Sequence, residues 1–455
     1  MYSLLIAHYQ LLINMDNTIE IQTNKIKETV GKHVLADGFD FVMDIENSHG
    51  SWIHDSVSGK NFLDMFSMFG SASIGYNHPY LVEKSEWLGK MAVNKPTLAD
   101  VYSKEYAQFL ETFERVVMPK ELQYAFFIEG GAMGVENAMK ACFDWKTRKN
   151  FEKGLDIEAG ICIHFRQAFH GRSGYTLSLT NTSDPRKYQY FPMFDWPRIL
   201  NPKLHFPITE ENLEETIKNE NLALIQIAEA IISNRDKVAC IIIEPIQAEG
   251  GDNHFRDEFF VGLRKICDEH EVLLIFDEVQ TGIGITGKMW AFEHLSVRPD
   301  IISFGKKTQV CGVLANKEKF DEIPNNVFRE SSRINSTFGG NLIDMLRFQL
   351  VMEVIEKENL LENANSVGEY LLEGLQKLAQ KFPEKLSNAR GKGLMCAIDL
   401  PSGERRDKIR NELYNDGLII LSCGDQSIRF RPHLNVTKEE IQIALDKIEN
   451  NINKI

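Results

Sequence analysis

Three apolar, β-branched runs, Cys240–Ile243, Val272–Phe276 and Ile301–Phe304, each end on groups that can do chemistry: Glu244, then Asp277 and Glu278, then Gly305 and Lys306. Taken singly, an Asp or Lys at the end of a strand is an ordinary solvated charge. Position is what raises the pair. Runs of this length, alternating with helix-like segments, read as parallel strands buried on both faces. In open parallel sheets, ligands lie outside the carboxyl ends of the strands, so Asp277 and Lys306 are expected to face one crevice. Pyridoxal 5'-phosphate needs that combination: an amine for its aldehyde, and a carboxylate that keeps its pyridinium nitrogen protonated so that the ring can accept electrons. The lysine has to be neutral at working pH, which desolvation and neighbouring positive charge both favour.

A different cofactor competes for the same residues. Gly282, Gly284 and Gly287 form a literal G-x-G-x-x-G, the pattern of nicotinamide dinucleotide sites. That pattern belongs between a strand and the helix whose N-terminus holds the pyrophosphate. Here Asp277–Thr281 intervene, and the following GKMWAFEHL is too short for a crossover helix. The nicotinamide-dependent oxidoreductase is therefore the remote alternative.

The string FDEVQTGIGITGKMWAFEH, with RPDIISFGKK after it, resembles the class III aminotransferases among the fold-type I pyridoxal phosphate enzymes. The resemblance implies an α/β fold, with a large domain built on a mostly parallel seven-stranded-type sheet flanked by helices and a smaller α+β domain. It also implies Asp277 beneath the pyridine nitrogen, Lys306 rather than Lys307 as the lysine bonded to the cofactor, and Gln280 near the cofactor's ring oxygen and bordering the substrate. Ile285 stands where many relatives carry Arg, a departure that touches no catalytic group.

In YAFFIEGGAMGVENAMK a buried strand breaks at Gly130-Gly131 and a helix follows. Free N–H groups and the helix dipole at such a turn suit a phosphate, although ordinary strand–helix turns also use glycine pairs. By resemblance, Gly131 and Ala132 lie against the cofactor phosphate. Many relatives have a hydroxyl there and this chain has none, so Thr337, in RESSRINSTFGGN, is expected to supply one to the neighbouring subunit of a homodimer. Ser336 and Thr337 are alternatively caps for the helix that begins near Leu342.

In AFHGRSGYTLSLTNT, Phe169 reads unaided as core and Arg172 as surface, although an aromatic can lie on a planar ring and an Arg can clamp a carboxylate. This run and the later FPMFDWPRI look like the lysine 6-aminotransferase branch of the family. That likeness puts Phe169 on the pyridine ring and Arg172 on the α-carboxylate of L-lysine. In SIRFRPHL, period-two alternation places Arg429 and Arg431 on one face, where either can be solvated. The resemblance makes Arg429 the site for the α-carboxylate of 2-oxoglutarate or L-glutamate. It makes Glu249, in EPIQAEGG, a switch that pairs with Arg429 while lysine reacts. The expected reaction yields 2-aminoadipate 6-semialdehyde and glutamate. A class III enzyme for ornithine, GABA or another ω-amine is the nearer alternative.

The elements that hold these residues divide into an N-terminal segment (1–95), a large cofactor domain (96–340) and a C-terminal α+β unit (341–455). In the first, VMDI and SWIHD are expected to pair as a hairpin. In the last, Val367, Leu371, Leu375 and Leu378 form an apolar stripe, Arg390–Gly393 turns into the strand LMCAIDL, and Thr437 with Glu440 forms a capping box. A net charge of −14 disfavours nucleic acid and anionic membranes. Seven scattered cysteines without a CxxC suit buried thiols in the cytoplasm rather than a disulfide framework. No spacing suggests a metal. The apolar opening MYSLLIAHYQLLIN is too short to span a bilayer and lacks signal-peptide features. It is expected to be a mobile extension, or to precede a natural start nearer Met15.

Overall fold

The structure, a computed structural model, describes residues 20–454; the opening stretch and Met15 lie outside them. The three strand-like runs are strands, Val238–Ile243, Leu273–Asp277 and Ile301–Phe304. They form the parallel centre of a seven-stranded sheet. In spatial order the strands are Tyr124–Ile128, Cys311–Ala315, Ile301–Phe304, Leu273–Asp277, Val238–Ile243, Ile161–Phe165 and Arg198–Ile199. Only Cys311–Ala315 runs against its neighbours.

Alternation along each strand feeds two cores. Cys240, Ile242, Leu273 and Ile275 join Val135, Met139 and Trp145 of the helix Gly131–Glu152 on one face. Ile241, Ile243, Leu274 and Phe276 join Phe259, Phe260 and Leu263 of the helix Asp257–His270 on the other. The side-chain period of two assigns successive residues to opposite layers, and both layers are buried, which is why the runs are apolar apart from Ser303 until they end. The close approach of the helix Gly131–Glu152 depends on Gly134: a Cβ there would sit 2.9 Å from the Gly312 carbonyl oxygen.

Two smaller sheets flank this body. Met43–His49 and Trp52–Asp55 pair as an antiparallel hairpin, with Met43 opposite Asp55, and Asn61–Asp64 extends it. The fourth strand of that sheet, Leu418–Ile419, comes from the far end of the chain and pairs in parallel with Asn61–Asp64. The second sheet is antiparallel, in the order Ser387–Lys392, Met395–Asp399, Ser427–Phe430, Leu421–Cys423. Here the segment around Arg390 is itself a strand rather than a turn, because buried Arg390 reaches Asp399 at 2.8 Å and the Asp252 carbonyl at 3.0 Å. The apolar stripe of the helix Leu360–Lys381 is buried, and Thr437 and Glu440 form their capping box. The helix Leu342–Lys357 is capped by Asn341, whose side chain accepts from the Ile343 N–H, and not by Ser336 or Thr337. All seven cysteines are free and buried. Among the described residues no helix is long and apolar enough to cross a membrane, and no cluster of His, Cys, Asp and Glu is placed to hold a metal.

Candidate active site

A cavity of about 260 Å³ opens at the carboxyl ends of the central strands, lined in part by Gly131, Ala132, Phe169, Asp277, Gln280 and Lys306. Of the two acids that end their strand, Asp277 faces this cavity. Glu278 turns into the protein, where its carboxylate accepts from the Phe292 N–H at 2.8 Å and from the Thr281 hydroxyl. Asp277 is buried and fully engaged: Oδ1 accepts from the Val279 N–H and the Ser303 hydroxyl, both at 3.1 Å, and Oδ2 takes His170 Nδ1 at 2.7 Å. A neighbouring carboxylate favours the tautomer with the proton on Nδ1, so the imidazole holds Asp277 in place. His170 was not singled out by the sequence, because one histidine in FHGR has no local pattern to mark it.

Lys306 follows Gly305 at the end of the next strand and adopts a left-handed conformation (φ +54°). A non-glycine residue holds that region only when its surroundings impose it. Its Nζ donates to the Phe69 carbonyl at 2.9 Å. That carbonyl belongs to a left-handed turn, Ser67, Met68, Phe69 and Gly70, with φ from +41° to +74°. Burial, reinforced by the Arg429 and Arg431 charges and opposed by Glu249 and Asp277, lowers the Lys306 amine to about 8. Lys307 is buried away from the cavity. Its Nζ donates to the Gln280 carbonyl at 2.7 Å and the Gly70 carbonyl at 3.3 Å, so it braces the loops behind the site.

Gly131 and Ala132 lie at the N-terminus of a 22-residue helix, with Gly130 at φ +96° as its cap. The first-turn N–H groups of a helix have no partner within it. Gly171 completes this wall: a Cβ there would stand 2.6 Å from the Ala132 Cβ. Across from it, a Cβ on Gly131 would stand 3.1 Å from Val279 Cγ1. An anion-receptive helix end, a fixed carboxylate, an amine of lowered pKa and the half-buried ring of Phe169 in one cavity fit pyridoxal 5'-phosphate.

The mouth of the cavity is a cluster of charges. Glu249, half-buried on its loop, reaches Arg429 Nη2 at 2.8 Å with Oε2 and Lys187 Nζ at 2.7 Å with Oε1. Burial alone would raise the Glu249 carboxyl. The Arg429 charge and the hydrogen bond and charge of Lys187 outweigh it, and the net shift is downward. Arg429 is 4 % exposed, and its Nε and Nη1 are buried without a partner. Neither arginine of SIRFRPHL is solvated: Arg431 is fully buried, paired with Asp252, and its Nε donates to Gln280 Oε1 at 3.0 Å. Arg172 is exposed, its guanidinium 5.8 Å from the Phe169 ring centre. Lys187 lies 5.7 Å from the same ring. It too was missed by the sequence reading, sitting in the surface-like string SDPRKYQYF. Thr337 is exposed and lines no part of this chain's own cavity.

The G-x-G-x-x-G glycines serve packing. Gly282 lies against Trp290, Gly284 against Leu361 and Gly287 against Asn365, and only a short 3-10 turn, Ala291–His294, follows. No dinucleotide helix exists there.

The family described as Aminotransferase class-III matches residues 35–452, and this chain belongs to the class III aminotransferases. It is an aminotransferase, and its cofactor is pyridoxal 5'-phosphate. The L-lysine-epsilon aminotransferase of Mycobacterium tuberculosis is 47% identical over 94% of this chain and 95% of its own length. The L-lysine-epsilon aminotransferase of Amycolatopsis lactamdurans is 46% identical over 93% of this chain and 94% of its own. The solved structure of lysine aminotransferase from M. tuberculosis in its internal aldimine form superposes with a TM-score of 0.92 at 46% identity, covering 94% of this chain and 99% of that one.

Proposed function

We propose that the protein transfers the ε-amino group of L-lysine to 2-oxoglutarate, giving 2-aminoadipate 6-semialdehyde and L-glutamate. One observation carries this reading: at rest, Glu249 covers Arg429 at the cavity mouth. Lysine holds its carboxylate far from the reacting ε-amine, whereas glutamate holds one beside its amine. An open Arg429 would bind lysine backwards and expose the wrong nitrogen. A covered Arg429 removes that option, and a displaced Glu249 frees Nη2 to join Nε and Nη1, the two donors that already lack partners, for the α-carboxylate of 2-oxoglutarate. A planar guanidinium fork suits such a carboxylate.

Bound pyridoxal phosphate supplies the carbonyl that takes the amine and the ring that accepts the electrons of the substrate carbon. Asp277, held by His170, would keep the ring nitrogen protonated. Lys306 would hold the cofactor through its amine, and its Nζ would hold and move the proton of the substrate carbon. Its lowered pKa supports both roles. Phe169 would cover one face of the ring, and Gly131 and Ala132 would offer backbone N–H groups to the phosphate. Gln280, its oxygen occupied by Arg431, would offer its amide N–H to the ring oxygen. Arg172, near Phe169 and reachable from solvent, holds the α-carboxylate of lysine.

We further infer a homodimer. Val101, Tyr102 and Phe338 stay exposed in the single chain, and the Leu98 N–H to Phe338 carbonyl bond at 2.9 Å joins their two segments into one surface. Thr337, beside Phe338 and exposed, would reach the neighbouring subunit's phosphate. Seven buried free thiols suit the cytoplasm.

The Glu249–Arg429 pair would serve any ω-amine, so ornithine and GABA form the second reading. The names of the relatives and the AFHGRSGYTLSLTNT run favour lysine. Assaying lysine, ornithine and GABA as donors to 2-oxoglutarate tests this: lysine should give the highest kcat/KM, and a higher value for ornithine or GABA would displace the proposal.

A further inference from the structure

Glu249 has two cationic partners, and the charge exchange proposed above uses only Arg429. Each of its carboxylate oxygens serves a different cation, Oε1 on Lys187 and Oε2 on Arg429. The backbone at Glu249 has little room to move. Its carbonyl accepts from the Gly424 N–H at 2.9 Å, and a Cβ on the adjacent Gly250 would stand 2.1 Å from the Gln167 carbonyl oxygen. Any uncovering of Arg429 therefore has to be a rotation of the Glu249 side chain rather than a shift of its loop. A carboxylate rotating off a buried guanidinium needs another positive partner, or it loses its ion pair as the incoming carboxylate arrives.

Lys187 stands where that partner is required. It ends a short turn, Pro185–Lys187, fixed by proline at its first position and by Asp184, whose side chain accepts from the Arg186 N–H at 3.1 Å. Its side chain is only 15% exposed, and Glu249 is its one carboxylate partner among the described residues. Lys187 and Glu249 also line a second, larger cleft of about 550 Å³, polar and open, which includes Arg406, Arg410 and Ser422. Glu249 lines both that cleft and the cofactor cavity, so a side chain leaving the cavity mouth turns toward the cleft.

We propose that Lys187 is a positioning residue for the amino-acceptor half of the reaction: it anchors Glu249 through Oε1 and retains it when Arg429 is given over to the carboxylate of the keto acid. This rests on the charge exchange described under the proposed function. Lys187 stabilises the state in which Arg429 is open, and Glu249 itself stabilises the state in which it is covered. Removing one or the other should therefore move the two half-reactions in opposite directions.

The test follows the cofactor's absorbance after rapid mixing of the pyridoxal-phosphate-loaded enzyme with lysine alone or glutamate alone. In Lys187→Met, the ratio of glutamate to lysine half-reaction efficiency should fall by about tenfold, the scale of one charge-assisted contact, with the loss in the concentration dependence for glutamate. Lys187→Arg should restore the ratio. In Glu249→Gln the ratio should rise, and adding Lys187→Met to Glu249→Gln should change it no further, since Lys187 acts through Glu249. If Glu249→Gln moves the ratio while Lys187→Met leaves it unmoved, or lowers the lysine half-reaction more than the glutamate one, the role given to Lys187 is wrong and the charge exchange stands. If Glu249→Gln leaves the ratio unmoved, the charge exchange itself fails and Lys187 has no role to play in it.

Discussion

At the floor of the cavity, Asp277 is buried at a strand end with His170, Ser303 and the Val279 N–H all bonded to it. At the mouth, Glu249 sits on a loop between two cations, half-buried, next to an arginine with two unused donors. The floor is built on the parallel sheet, packed on both faces by buried cores. The mouth is built on loops that meet across the sequence, Lys187 from one, Glu249 from another and Arg429 from the small antiparallel sheet. A group that has only to hold one proton in place gains from rigidity. A site that has to accept two acids of different shape needs a charge that can change partners. The proposed function assigns chemistry to the rigid region and choice of substrate to the adjustable one.

That division can be broken first at the floor. Lys306→Ala should abolish turnover and borohydride fixation of the cofactor to the chain. Lys307→Met should retain fixation, because Lys307 points to the Gln280 and Gly70 carbonyls; fixation surviving in Lys306→Ala would exchange the two assignments. Asp277→Asn should lower kcat with lysine and with glutamate alike by on the order of a hundredfold or more, and a loss confined to one substrate would blur floor into mouth. At the mouth, Glu249→Ala leaves buried Arg429 without its carboxylate, a loss on the order of 3–5 kcal/mol for a buried pair. It should lower the lysine half-reaction while glutamate handling is preserved, and a uniform loss would contradict the contrast.

The pH dependence sharpens the floor further. In the role proposed for it, Lys306 has to be neutral to attack the cofactor's aldehyde, and its pKa is lowered from 10.5 to about 8. Capture of pyridoxal phosphate by the cofactor-free enzyme should therefore accelerate as pH rises through about 8 and level off above it. A rise that continues to pH 10 would mean that burial and the two arginines do not act on the amine. Smallest of all, Thr437→Ala removes a helix cap far from the site and should cost about 1 kcal/mol of stability in denaturant unfolding, leaving the ratio of half-reactions untouched.

Much of the floor was legible because local pattern and site coincide there. Strand length, alternation and the polar residue closing each run already point Asp277 and Lys306 at one crevice. His170 was not, since its meaning comes from Asp277, 107 residues later. The mouth was legible only through family likeness. Period two puts Arg429 and Arg431 on one face but cannot say that both are buried, with Arg431 held by Asp252 and Arg429 by Glu249. Lys187 gave no signal at all, because a lysine in a polar string such as SDPRKYQYF looks like solvent-facing charge until its partner is known. The same limit explains the strand Ser387–Lys392 and the Asn341 cap: each is decided by neighbours distant in sequence or by one hydrogen bond, neither of which shows in composition.

The most direct measurement places a heavy nitrogen label on either the ε- or the α-amine of lysine and weighs the glutamate formed from 2-oxoglutarate. Label from the ε-position should appear in glutamate and label from the α-position should remain with the lysine-derived product. Glutamate carrying the α-nitrogen would show that lysine binds the other way round, with Arg429 uncovered when it arrives.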